Sequence, residues 1–168
     1  AVTAAVGELG PPDLVVTSAG MAYPGRFMDL PITVFERTMA VNYFGTLYAV
    51  RAVLPSMLQR RQGHLVLISS GAGLIGICGY TPYCPGKFAV RGLAQVLPGI
   101  LHPQGVHVAY VNVDGAIDMP LIRQYLSHLK DEDLLKPSAI ADAFWYLAHQ
   151  DPSAWSHELD VRPFTEKF

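Results

Sequence analysis

A serine, a tyrosine and a lysine in the middle of the chain have the types and spacing that proton transfer requires. Ser70 lies thirteen residues before Tyr83, and Lys87 follows the tyrosine by four residues. If a helix begins near Tyr83, the phenol and the ammonium share one helix face. A cation beside a phenol favours the phenolate and lowers the phenol pKa from about 10. The pattern predicts a tyrosine that exchanges a proton near neutral pH, as carbonyl–alcohol interconversion requires.

Alternating apolar and amphipathic segments predict the framework that positions these groups. Strands are predicted over residues 14–17, 65–68, 106–113 and 158–161, and helices over residues 1–9, 31–60, 83–97 and 137–149. Continuous apolar strands alternating with helices predict an α/β fold with a buried parallel sheet. Pro98 predicts that the third helix ends or kinks there, because proline in a helix interior costs about 3 kcal/mol. Residues 116–136 are predicted to be a loop with short helical pieces.

Several segments, taken in order, resemble the short-chain dehydrogenase/reductase superfamily. Residues 13–20 (DLVVTSAG) are similar to a family strand that ends in Asn-Ala-Gly, although Ser18 replaces the asparagine. Residues 41–45 (VNYFG) are similar to the helix that carries a fourth catalytic residue. Residues 63–70 (GHLVLISS) are similar to the strand before the catalytic serine. Tyr83 and Lys87 match the family's YxxxK motif.

The resemblance implies a role for each matched residue of the catalytic set. Tyr83 would be the general acid in reduction and the base in oxidation, and Lys87 would lower its pKa and bind the nicotinamide ribose. Ser70 would hydrogen-bond the substrate oxygen. Ser69 competes for this role, but the spacing of thirteen to the tyrosine matches the family for Ser70. Asn42 matches the residue whose backbone positions a water in a proton relay.

The resemblance also implies NAD or NADP as cofactor, bound along two loops. The loop expected beside the adenosine half comprises Ser18, Ala19 and Gly20, and the loop expected under the nicotinamide comprises Asp114, Gly115, Ala116 and Ile117. Asp114 stands where the family usually has proline. Met119 stands where the family usually has a threonine that contacts the cofactor. These two positions depart from the family pattern and put their contacts in doubt.

The glycine-rich turn TGxxxGxG, which opens this superfamily and cradles the pyrophosphate, has no counterpart in the sequence. Residue 1 stands shortly before the family's fourth strand. We therefore expect the carboxy-terminal portion of a Rossmann-type doubly wound parallel sheet, with residues 1–168 forming a single incomplete domain. The choice between NAD and NADP depends on family positions that precede residue 1.

The predicted function is an NAD(P)-dependent oxidoreductase that interconverts a ketone and a secondary alcohol. Residues 18–97 resemble 3-ketosphinganine (3-dehydrosphinganine) reductases, most clearly through residues 18–21, 35–39, 70–76, 79–81 and 87–94. The last fifty residues look more like generic bacterial short-chain oxidoreductases. Reduction of a lipid ketone is therefore one alternative. A non-catalytic remnant, or a scaffold that oligomerises through its two long helices, is another.

Composition argues against nucleic-acid binding, a membrane span and a metal site. The net charge of −2 gives no electrostatic case for nucleic acid. The uncharged run 65–86 is broken by serines, glycines and prolines, so we interpret it as strand plus loop, not as a membrane span. Cys78 and Cys84 form no CxxC pair, and the six histidines lack metal-ligand spacing. We expect no metal, a reduced cytoplasmic environment and a homo-oligomer. The expected substrate is a small carbonyl or alcohol compound, and the largely apolar residues 119–126 are compatible with an apolar one.

Overall fold

The computed structural model describes residues 1–166 and contains six strands. They are β1 (Leu14–Thr17), β2 (Gly63–Ser69), β3 (Val106–Val113), β4 (Ala116–Ile117), β5 (Leu134–Leu135) and β6 (Glu158–Val161). The main sheet is parallel throughout and has the order β1-β2-β3-β6. Strands β4 and β5 form a separate parallel pair. The predicted α/β fold with a parallel sheet is confirmed.

Within the described residues 1–166, six α-helices connect and cover these strands. They are α1 (Val2–Leu9), α2 (Ile32–Met39), α3 (Gly45–Arg60), α4 (Tyr83–Leu101), α5 (Pro120–Tyr125) and α6 (Pro137–Ala148). Among residues 1–166, no helix has the length and apolar character needed to cross a membrane.

The sheet has an apolar layer on each face. Val108 of β3 packs on one face with Val53 from α3 and Val90 from α4. Val111 of the same strand belongs to the other face, with Leu147 from α6. Successive strand residues point to opposite faces, so a strand covered on both sides is apolar at nearly every position. This explains why residues 106–113 are all buried.

The structure refines two predicted helices. The predicted helix over residues 31–60 is helical without a break from Ile32 to Arg60, but a π-helical turn, Ala40–Phe44, separates its α-helical parts α2 and α3. Helix α4 passes through Pro98 and ends at Leu101, beyond the predicted end at residue 97. The side chain of Leu101 is buried in the core. Packing of this last turn offsets the poor helix propensity of proline and glycine, since tertiary contacts outweigh local preference.

Residues 116–136 also differ from the prediction. The loop contains α5 as predicted, but it also contains β4 and β5. Each of these strands has only two residues, which is too short to produce a periodic hydrophobic pattern. Their pairing is extended by a hydrogen bond from the Asp118 N–H to the Leu135 carbonyl.

Gly115, between β3 and β4, is expected to tolerate no side chain. Its φ is +139°, and a Cβ there would lie 2.7 Å from Cδ of Pro163. We expect Gly115→Ala to lower the free energy of unfolding by roughly 1–3 kcal/mol, because backbone strain and a steric clash add. Gly92→Ala is the control, since Gly92 lies within α4 with open space around it. Denaturant unfolding should show equal or higher stability for Gly92→Ala; a neutral Gly115→Ala would contradict the prediction.

Candidate active site

A cavity of about 350 Å³ lies at the carboxyl ends of β2 and β3. Ser70 follows β2 directly, Asp114 follows β3, and Tyr83 enters from the first turn of α4. All three line the cavity together with Ala22, Gly71, Ala72, Ile77, Tyr80, Val113, Gly115 and Ile122. The carboxyl ends of parallel strands are where open α/β sheets bind ligands.

The two adjacent serines occupy different environments. Ser70 Oγ accepts a hydrogen bond from the Ala72 N–H at 3.2 Å, which caps the short 3₁₀ turn Gly71–Gly73. The same side chain lines the cavity with the Tyr83 phenol and acts to lower the phenol pKa. Ser69 is buried, and its hydroxyl donates to the Lys87 carbonyl at 3.4 Å. The cavity therefore contains the Ser70 hydroxyl, whereas Ser69 joins β2 to α4.

Lys87 lies one helical turn beyond Tyr83, and its Nζ is 5.6 Å from the centroid of the phenol ring. The ammonium donates to the Ile68 carbonyl at 3.3 Å. The lysine side chain is only 6% exposed, and burial lowers its pKa to about 8. The structure thus places over the tyrosine ring an ammonium group that loses its proton more readily than an exposed lysine does.

The expected lowering of the Tyr83 pKa is wrong for the structure. Burial raises the pKa of this phenol, and Ser70 only partly opposes the shift. The ammonium of Lys87 lies over the ring and bonds to the Ile68 carbonyl, so it does not offset the loss of water around the phenol oxygen.

Asn42 lies in the π-helical turn, which a search for regular helical periodicity missed. The side chain is buried and bonds to both backbone groups of Met21: Oδ1 accepts from the N–H, and Nδ2 donates to the carbonyl, each at 2.8 Å. A Cβ on Gly20 would lie 3.5 Å from Asn42 Oδ1 and 3.8 Å from Lys87 Nζ. Asn42 therefore holds the loop after β1 close to Lys87.

The remaining residues predicted to bind the cofactor lie in two segments, the loop after β1 and the segment after β3. Ser18, Ala19 and Gly20 are exposed in the loop after β1. Gly115 reaches the cavity, but Ala116 and Ile117 form β4 and do not line it. The side chain of Ile117 packs instead against the core face that contains Val111.

An ion-pair network beside the cavity was not predicted. Asp114 Oδ2 lies 3.3 Å from Arg162 Nη1, and Arg162 Nη2 lies 2.7 Å from Asp160 Oδ2. Asp160 in turn accepts from Asn112 Nδ2 at 2.6 Å. A Cβ on Gly71 would clash with the Asp114 carboxylate, so glycine is needed there. Asp160 lies in β6 and Arg162 directly after it, two residues apart, so an extended backbone would place them on one face. No local pattern predicts their partner Asp114.

Comparison with known proteins identifies the family. The sequence model described as "short chain dehydrogenase" matches residues 1–127. The chain belongs to the short-chain dehydrogenase family. This membership confirms the resemblance inferred from the YxxxK motif and the segments around it.

Curated relatives match in two different ways. The 3-ketodihydrosphingosine reductase of Bos taurus is 48% identical over 101 residues, which are 60% of this chain and 30% of that protein. An uncharacterized oxidoreductase of Staphylococcus aureus strain MW2 is 33% identical over 151 residues, 90% of this chain and 64% of the relative. The chain therefore spans less than two thirds of the length of either relative.

Solved structures extend the fold similarity over nearly the whole chain. An alcohol dehydrogenase from the archaeon Thermococcus sibiricus, complexed with 5-hydroxy-NADP, superposes with a TM-score of 0.83 at 23% identity. The match covers 99% of this chain and 69% of that one. The closed form of a serine dehydrogenase complexed with NADP⁺ gives a TM-score of 0.85 at 23% identity, covering 99% and 74%. At this identity the comparison establishes the Rossmann-type fold.

Proposed function

We propose that the protein is an NAD(P)-dependent oxidoreductase that interconverts a ketone and a secondary alcohol. The observation that carries the proposal is that Ser70 and Tyr83 line one cavity, with Lys87 Nζ 5.6 Å from the tyrosine ring centroid. A carbonyl oxygen between the two hydroxyls would accept hydrogen bonds from both. The test is ketone-dependent loss of NADPH or NADH absorbance.

Each catalytic side chain has a distinct task in this proposal. In reduction, the Tyr83 hydroxyl transfers its proton to the substrate oxygen, and the Ser70 hydroxyl stabilises the charge that develops there. Lys87 stabilises the phenolate that remains. Because burial lowers the lysine pKa to about 8, Lys87 can return a proton toward the tyrosine near neutral pH. Asn42 would position a water for this proton relay.

The residues present fit a nicotinamide dinucleotide, which supplies or accepts the hydride when bound. Gly20 has no side chain beside Lys87 Nζ, where a Cβ would lie within 3.8 Å, so a ribose could approach the ammonium from this side. Ser18 and Ala19 would continue this contact toward the adenosine half. Asp114, Gly115, Ala116 and Ile117 would contact the nicotinamide end. Both structural neighbours described above carry NADP-type ligands, and the present chain is compatible with NAD or NADP.

A lipid ketone is the second candidate substrate. It is supported by the 48% identity to the bovine 3-ketodihydrosphingosine reductase and by apolar groups near the cavity. Ile122 of α5 lines the cavity, and Met119, Leu121 and Leu126 beside it are exposed. Comparing turnover of 3-ketosphinganine with that of a short-chain ketone decides between the two. A clear preference for the short ketone would reject the lipid substrate.

Oligomerisation remains a proposal that is independent of catalysis. Tyr48 of α3 and Phe88, Val96 and Ile100 of α4 are exposed apolar side chains. A homo-oligomer that buries these helices is supported by this exposure. The reading as a non-catalytic scaffold would be favoured if sedimentation showed a defined oligomer while every ketone tested gave no turnover. A cytoplasmic location stays a prediction.

The 168 residues by themselves are expected to bind NADPH and NADH weakly and to show no measurable reductase activity. They supply the nicotinamide end of the proposed site, whereas binding energy from the remote half of a cofactor normally positions the reacting ring. Among residues 1–166, β1 pairs only with β2, and an unpaired edge favours association. Fluorescence titration together with light scattering tests both expectations. Micromolar cofactor affinity in a monomer would contradict them.

A further inference from the structure

Three histidines and a tryptophan pack together at the end of the sheet opposite the active-site cavity. The histidine cluster comprises His64 of β2, His107 of β3, His102 after α4, and Trp155 before β6. The rings of His107 and Trp155 are stacked, with centroids 4.7 Å apart and an interplanar angle of 9°. His102 contacts the same tryptophan at 5.1 Å, and His64 lies 5.6 Å from His107. The proposed chemistry uses none of these residues.

The hydrogen bonds of His107 and His64 require that at least one of the two rings is neutral. His107 Nε2 lies 2.8 Å from the Ser156 carbonyl, which can only accept, so this nitrogen carries the proton. In a neutral ring, His107 Nδ1 is then an acceptor, and His64 Nδ1 lies 3.5 Å away and can donate to it. Protonation of both rings would place two N–H groups against each other and break this contact.

The His102 side chain accepts a backbone hydrogen bond at the edge of β3, where β6 does not yet pair with that strand. Its Nε2 accepts from the Val108 N–H at 3.1 Å, a shorter contact than the 3.4 Å to the Val108 carbonyl. Pairing between β3 and β6 begins only at Tyr110, so Val108 lies beyond the paired part of this edge. An imidazolium at His102 has no lone pair for the Val108 N–H. Protonation would therefore leave a buried backbone donor without a partner.

The surroundings of the cluster disfavour positive charge. Burial lowers the pKa of His64, His102 and His107 below the ordinary 6.5. Neighbouring histidines lower it further, namely His149 for His64, His157 for His102, and His64 and His102 for His107. The Ser156 and Val108 carbonyls act in the opposite direction, as does Asp13, which is itself paired with Arg60. Arg61 adds a further positive charge at the adjoining cavity of about 820 Å³.

The sign of the pH dependence follows from these directions. The unfolded chain takes up protons on these histidines near pH 6.5, while the folded chain resists protonation to lower pH. The stabilisation is therefore complete above about pH 6.5 and is lost as the pH falls toward the lower folded-state values.

We propose that the histidine cluster is an acid-sensitive latch that holds residues 150–157 against the amino-terminal end of β3 and releases them when its rings are protonated. The held segment leads directly into β6. That strand contains Asp160 and is followed by Arg162, which pairs with both Asp160 and Asp114 at the active-site cavity. Release of the latch would loosen the strand that supports this network.

Mass spectrometry of the 168-residue chain tests the latch in any association state. Hydrogen–deuterium exchange at the imidazole C2 atom reports each histidine pKa, and His102 and His107 should titrate below 6.5. After correction for the intrinsic chemistry, amide protection of residues 106–110 should fall as the pH drops from 7.5 to 5.5, because the folded state resists protonation of these rings and the unfolded state does not. Titration of His102 and His107 at or above 6.5, or unchanged protection, would overturn the proposal.

His102→Gln supplies an amide oxygen that can accept from Val108 without titrating. We expect this variant to lose much of the pH dependence of protection at residues 106–110. His128→Gln is the matched control, because His128 is exposed in the loop after α5 and should leave the pH dependence unchanged. Equal pH dependence in His102→Gln and His128→Gln would count against the latch. If His102→Gln fails to fold, the imidazole titration of the unmodified chain still decides.

Discussion

Tyr83→Phe is expected to reduce carbonyl turnover by at least ~10²-fold in a form of the protein that binds NADP(H), in line with general acid–base contributions. The substitution removes one oxygen and its proton and leaves the ring beside Lys87 in place. Cofactor affinity should change much less than turnover, because the lysine remains. Steady-state kinetics with a ketone substrate, combined with a cofactor titration, measure both effects.

Tyr80→Phe is the matched control for this experiment. Tyr80 lines the same cavity, and its ring packs edge-on against Tyr83 with centroids 6.2 Å apart. Ser70, however, acts on the pKa of Tyr83. Tyr80→Phe should therefore keep most of the turnover. Near-normal activity in Tyr83→Phe would show that another group transfers the proton.

Lys87→Met is expected to stabilise the fold by about 2 kcal/mol at pH 7 while abolishing the proposed activity. Burial lowers the lysine pKa from 10.5 to about 8, and this shift corresponds to about 3 kcal/mol. Loss of the hydrogen bond to the Ile68 carbonyl offsets about 1 kcal/mol of the gain. The folded state penalises the charged lysine below pH 8, so the penalty fades as the pH rises toward 10.5.

Denaturant unfolding at pH 7 and pH 10 measures this effect. The gain from Lys87→Met should be smaller at pH 10 than at pH 7. Lys136→Met is the control, because Lys136 is exposed at the start of α6 and should show no such gain at either pH. A large loss of stability in Lys87→Met would mean that the lysine contributes more through its contacts than burial costs. Comparing the two variants distinguishes the stability effect of a buried lysine from that of an exposed one.

The sequence predicted the parts of the fold that depend on local patterns. Continuous apolar runs located β1, β2 and β3, and the turn residues between them separated most of the helices. Pro98 was misleading, because the burial of Leu101 outweighs the local cost of proline. The π-helical turn at Asn42 was also missed, since it spans only five residues and is too short to show a period of its own in the hydrophobic pattern.

The sequence by itself determined the family, the parallel sheet and the spacing of Ser70, Tyr83 and Lys87. The spacing favoured Ser70 over Ser69, and the tertiary structure showed their different environments, because adjacent residues in an extended segment point to opposite sides. The tertiary structure also reversed the expected direction of the Tyr83 pKa, since the cost of burial depends on everything packed around the phenol. The link from Asp114 to Arg162 joins residues 48 positions apart and arises only when β3 and β6 pair.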